Sequence, residues 1–151
     1  MENQPPVLRD RLSVDVSLLA MRLIVGFVFF YHGAQKLVGA FGGPGLAEIV
    51  KMMGPVGYLV AVGECLGGVG IMFGFLSRFS AAANIVIMLG AIAMVHGKNG
   101  FSLEHQGYEY NLALIGLLLP IVLVGPGRFS IGKFLPFPKS KKTGRTVAVL
   151  E

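Results

Sequence analysis

The chain has 151 residues, 54% hydrophobic and only 14% charged, with a formal net charge of +5. An average soluble domain carries about 25% charged residues to coat its surface, so this composition excludes an ordinary soluble globule and points to lipid as the solvent. The basic residues flank apolar runs, which ties them to topology and anionic lipid rather than to nucleic acid, and the single cysteine, Cys65, excludes an internal disulfide.

Residues 1–16 are polar, contain Pro5, Pro6, Arg9 and Arg11, and read as a cytoplasmic lead. Ser17 to Leu37 is the first predicted span. Its apolar core is too long for a cleaved signal peptide, and no small-x-small cleavage site follows it. Residues 38–53 form a loop that opens with a Gly/Pro-rich turn, followed by LAEIVKMM, which fits a short amphipathic helix at the interface. Gly54 to Leu76 is the second span. The link Ser77-Arg78 is so short that the next span, Phe79 to His96, must be its antiparallel neighbour. A polar connector, Lys98 to Tyr108, leads to the fourth and shortest span at 109–125, where Pro120 leaves the carbonyl of Gly116 without its helical donor and predicts a kink. Residues 136–151 form a basic tail with the composition of a disordered segment.

The expected fold is therefore all-α: a polytopic antiparallel bundle of four transmembrane helices, with the membrane domain at 17–135. Arg9, Arg11, Arg22, Arg78, Arg128, Lys133, Lys139, Lys141, Lys142 and Arg145 fall on one side, and only Lys36, Lys51 and Lys98 on the other. The positive-inside rule then places both termini in the cytoplasm; the expected location is a bacterial or archaeal cytoplasmic membrane.

Ionisable groups inside a membrane are costly, and each needs an account. At about 1.5 Å per residue, Arg22 lies about 7.5 Å from the inner end of the first span, level with Asn84 in the third, so the two could hydrogen-bond. The outer half gathers more. His32 and Lys36 share a face one turn apart, with Phe29 one turn back. Glu64 falls about 15 Å deep, near mid-membrane; it is protonated, paired with Arg22 or His32, or facing a wet cavity. His96 ends the third span, and Tyr108, Glu109, Tyr110 and Asn111 begin the fourth. Several of these have plainer roles: Arg22 and Lys36 can snorkel to headgroups, and His96, Glu109 and the tyrosines can act as anchors and caps. Gly63, Gly67, Gly70 and Gly74 make a stripe suited to close helix contact.

The motifs RLxxGxxF at 22–29, HGAQKL at 32–37, GExxGG at 63–68, GFxxR at 74–78, HGKNGF at 96–101, GYEYN at 107–111 and GPGRFS at 125–130 follow in an order and spacing that resembles the DoxX family of small four-helix membrane proteins. The resemblance implies a redox setting, as a subunit or accessory of quinone-linked or thiosulfate-oxidising systems. It carries the motif positions Arg22, His32, Lys36, Glu64, His96, Glu109 and Asn111.

Two functions compete. In the first, the chain serves a redox system with membrane quinone: the catalytic candidates are Glu64 and His32, either of which could exchange protons, while Arg22, Phe29, Lys36, His96, Tyr108, Glu109 and Asn111 bind substrate, with Phe30 and Tyr31 adding to the wall and Lys36 attracting an anion such as thiosulfate. In the second, the same pocket binds a lipophilic ligand or scaffolds a partner enzyme without chemistry. No metal motif is present and no other cofactor is evident. Haem held by His32 and His96 is disfavoured, because His96 lies about one turn too shallow. The expected partners are the lipid bilayer, a small lipophilic or anionic substrate, and a membrane or peripheral redox partner, with oligomerisation left open.

Overall fold

In lipid a backbone must satisfy its own hydrogen bonds, so apolar runs of this length become helices. The computed structural model describes residues 6–134, and all regular elements among them are helical. They are α1 (Pro6–Val38), α2 (Gly45–Met53), α3 (Val56–Phe73), α4 (Ser77–Ala91) and α5 (Glu109–Leu123). A π-helical turn, Ile92–His96, continues α4. The first residues of the expected lead and the whole basic tail lie outside the described residues.

Among the described residues, three segments are long and apolar enough to cross a membrane: Arg11–Val38, Val56–Phe73 and Ser77–Asn99. The apolar helix α5 has 15 residues, about 22 Å against a hydrocarbon core of about 30 Å. It runs through Pro120 and ends at Leu123. α1 begins at Pro6, within the expected lead. Proline at a first helical position loses no intrahelical bond, and its fixed φ suits the start of a helix.

α1 packs mainly on α3, α3 on α4, α4 on α5, and α5 returns to α1, closing a ring. Its core contains Val25, Phe29, Ile71, Ala81, Met88, Leu114, Leu118 and Ile121. Many other large apolar side chains, among them Ile24, Leu66, Phe79 and Leu119, point outward, as a lipid-facing surface requires.

Glycine sets the spacing of the ring. A Cβ on Gly33 would lie 2.1 Å from the Cys65 backbone nitrogen, and one on Gly68 2.3 Å from that of Phe30. Backbone therefore meets backbone between α1 and α3. Three glycines of the predicted stripe face α4: Gly63 meets Ile87, Gly67 meets Asn84 and Gly70 meets Ser80, while Gly74 meets Arg22 and Ser130. α3 ends in a Schellman cap, with Phe75 N bonded to Gly70 O and Gly74 N to Ile71 O, made possible by the left-handed φ of Gly74.

The two ends of the bundle differ. At one end α2 lies between α1 and α3, its buried Ile49 against Gly57, and residues 97–108 connect α4 to α5. This is the connector end. At the other, residues 125–132 pass beneath the bundle as a latch. Arg128 N donates to Asp15 Oδ1 (2.7 Å), Arg22 Nη2 to the Phe129 carbonyl, and Gly132 N to Gly74 O (3.3 Å). Arg78 Nη2 bonds the Leu123 and Val124 carbonyls that end α5.

Candidate functional site

Toward the connector end the ring encloses a cavity of about 510 Å³, within the usual size of small-molecule sites (about 300–1,000 Å³). α1 contributes Val28, Phe29, His32 and Lys36; α3 contributes Val56, Leu59, Val60 and Glu64; α5 contributes Tyr110, Asn111 and Leu114. α4 and its π turn supply the longest wall, from Val86 to His96, and Met53 of α2 closes the top. The walls are apolar, and the polar groups are few and named: His32, Lys36, Glu64, His96, Tyr110 and Asn111.

The central polar feature is an ion pair, Lys36 Nζ to Glu64 Oε2 at 2.5 Å, with side chains 25% and 5% exposed. Neither Arg22 nor His32 is the partner of Glu64, and Lys36 does not run out to the headgroups as a snorkelling residue would. The reason is register. Gly33 packs on the Cys65 backbone, so α1 and α3 are level there, and Lys36 sits three residues further on, about 4.5 Å along the axis. A lysine side chain spans that gap easily, whereas depths counted from the span ends set the two groups much further apart.

The histidines are held by their Nδ1 atoms. His96 Nδ1 lies 2.7 Å from the Gln106 carbonyl, which also accepts from Asn99 Nδ2 (3.2 Å). A carbonyl can only accept, so Nδ1 carries the proton and Nε2 is left as an acceptor. His32 Nδ1 is 3.2 Å from Gln35 Oε1, and its ring sits edge-on to Tyr31 and Tyr110. Asn111 is buried, with Nδ2 3.4 Å from Met88 Sδ. Phe29, 2% exposed, joins the cavity wall to the core.

The remaining expected site residues lie elsewhere. Arg22 is fully buried at the latch end, neither lining the cavity nor snorkelling. Its predicted bond to Asn84 does not form: Arg22 reaches Phe129, while Asn84 Nδ2 bonds the carbonyls of Ser80 (2.9 Å) and Gly63 (3.4 Å). Glu109 accepts from Leu103 N (3.0 Å), and Tyr108 packs edge-on against Phe101. Both organise the connector and neither lines the cavity. Tyr31 stacks on Phe41 at 4.5 Å, and neither it nor Phe30 contributes to the wall. Tyr110, Met53 and the α4 wall around Gly90 were not among the expected site residues. Their signals in sequence are slight: the helical phase of Tyr110 beside Asn111, and a glycine inside an apolar run.

The sequence profile of the DoxX family matches residues 17–97, more than half of the chain and all of α1's apolar stretch through the π turn. The chain belongs to the DoxX family. It is 29% identical over 136 residues to "Putative oxidoreductase CatD" of Bacillus subtilis, covering 90% of this chain and 98% of that protein. It is 29% identical over 121 residues to inner membrane protein YqjF of Escherichia coli, covering 80% and 93%. With the uncharacterized membrane protein Rv3486 of Mycobacterium tuberculosis it shares 29% over 133 residues, covering 79% and 81%. No solved structure matches the chain. The apolar outer surface and the family together make it an integral membrane protein with several membrane-crossing helices.

Proposed function

We propose that this DoxX protein binds a quinone in the cavity and serves as a subunit or accessory of a membrane redox system. The observation that supports this best is the composition of the cavity: apolar walls with hydrogen-bonding groups gathered around the Lys36–Glu64 pair. That is what a flat, apolar ring with oxygen substituents needs. Reducing a quinone to its hydroquinone takes two electrons and two protons. The electrons come from a partner protein. The imidazole Nε2 atoms and Glu64 are the groups able to exchange the protons, and Asn111, Tyr110 and Lys36 are the donors able to hold the ring oxygens. The name of the B. subtilis relative agrees with a redox role.

The basic residues at the latch end support a cytoplasmic position for that end, and on that orientation the cavity lies in the outer half of the membrane. Helix α5 then completes a fourth crossing, its shortness taken up by local bilayer thinning. Reporter fusions at the two ends of the chain test the orientation.

The functional test is direct. The purified chain binds quinone, and Glu64→Gln changes quinone affinity or the turnover of the redox system that it serves. Absence of both effects sinks the reading. The competing role, holding a lipophilic ligand or partner without electron transfer, is favoured if quinone binds but no turnover depends on the chain.

A further inference from the structure

We infer that the cavity opens sideways into the bilayer between α3 and α4, and that its occupant is an isoprenoid quinone whose tail leaves through this gap. The inference rests on the quinone reading above and adds the route and the part of the molecule that stays in lipid.

The seam between α3 and α4 changes along its length. Near the latch end it is closed: a Cβ on Gly70 would lie 2.6 Å from Ser80 Oγ, and one on Gly67 2.3 Å from Asn84 Nδ2. At Gly63 the contact has thinned to the tip of one side chain, Ile87 Cδ1 at 2.7 Å, with the next atom at 4.0 Å. Beyond that point Gly57 faces Ile49 of α2 rather than α4, and a Cβ on Gly90 would meet nothing within 4 Å. The two helices share a tight base and then part. The gap runs along α3 from Gly63 to Val56, about 10 Å at 1.5 Å per residue.

Its rim is apolar and exposed: Leu59 is 72%, Val86 68% and Met94 63% exposed, and all three also line the cavity. These residues lie within helices apolar enough to cross a membrane, so the rim meets acyl chains, not water. The ion pair sits behind the gap. A ligand passing through it must be apolar on the outside and able to accept or donate hydrogen bonds at its leading end, which describes a quinone ring followed by its tail. A free anion has no matching path, because the rim offers it no charge and Lys36 is already paired with Glu64.

The test uses the full chain in phosphatidylcholine nanodiscs with two probes, a naphthoquinone bearing an isoprenoid tail and the same ring without one. Gly90→Phe sets a ring in the open space at the gap and is expected to weaken binding of the tailed probe about tenfold, ~1.4 kcal/mol. Gly90→Leu should be intermediate, and the tailless probe should lose less than about threefold. Gly116→Phe, an equally open position outside the cavity, is expected to leave both unchanged. Equal affinity of wild type and Gly90→Phe for the tailed probe overturns the lateral opening. If the wild type binds neither probe, the quinone reading falls, and a second readout judges the opening alone. Val60→Trp would be the only tryptophan in the chain, and phosphatidylcholine brominated on its acyl chains quenches it where lipid tails reach the gap. Quenching that Gly90→Phe reduces supports the opening, with lipid as its occupant; quenching that it leaves unaltered overturns the opening.

Discussion

Replacing Lys36 by Met should cost the fold more than replacing Glu64 by Gln, although the two substitutions break the same ion pair. The asymmetry follows from burial. The Glu64 side chain is 5% exposed and that of Lys36 is 25% exposed. Lys36→Met strands a carboxylate that cannot reach water, and losing one partner of a buried pair costs about 3–5 kcal/mol. The partial exposure of Lys36 puts the expected loss at the low end, about 3 kcal/mol. Glu64→Gln leaves an ammonium on a flexible stem that can turn outward, and the amide can still accept a bond, so the loss should be about 1 kcal/mol. The double variant should lose less than the sum of the two, with a coupling of about 1–2 kcal/mol. Equilibrium unfolding in mixed micelles of a mild detergent and dodecyl sulfate, followed by circular dichroism, measures all four corners of the cycle. Equal single losses that add within about 0.5 kcal/mol would refute the pairing and the argument from burial.

Gly33→Ala and Gly68→Ala each drive a methyl into the backbone of the opposite helix and should cost about 3 kcal/mol, whereas Gly116→Ala, in open space, should be neutral or stabilising by up to about 1 kcal/mol; thermal denaturation separates the two classes. Arg22→Leu removes the donor to the Phe129 carbonyl and should loosen the latch by about 1–3 kcal/mol. Hydrogen exchange of the Arg128 and Gly132 amides should speed up accordingly, and unchanged exchange at both would contradict the assignment of Arg22 to the latch. His96→Phe removes one of the two donors to the Gln106 carbonyl and should raise exchange of the Tyr108 and Glu109 amides about fivefold, for a loss of ~1 kcal/mol, while the amides of α1 and α3 stay protected.

Hydropathy and the expectation of a very short link were enough to place α3 and α4, because a membrane leaves a long apolar run little choice but helix; the link itself lies at residues 74–76, and Ser77 and Arg78 already belong to α4. The amphipathic α2 was equally legible, since one face had to find cover. The pairing of charges was not. Glu64 was assigned by counting from the ends of spans, a count that treats those ends as level. The level is in fact set by Gly33 against Cys65, a contact between backbones that leaves no trace in the charge pattern. Arg22 and Asn84 were expected to meet because they share a depth, yet each found carbonyl oxygens instead, one of them on the segment after α5. Tyr108 and Tyr110 differ by two positions, but one stands before the helix and the other inside it, and only the latter turns to the cavity. Five of the seven motifs divide the same way. Those around His32, Glu64 and Asn111 build the cavity, and GFxxR and GPGRFS build the latch.

The latch also bears on how the protein is made. Residues 125–132 are synthesised after helices α1 to α5, yet they hold Asp15 and Arg22 of the first helix and Gly74 at the turn before α4. Until that segment leaves the ribosome, Arg22 has no carbonyl from Phe129 to bond and the ring has no clasp. A chain stopped within this segment would insert its helices but remain unfastened, with a buried guanidinium seeking a partner.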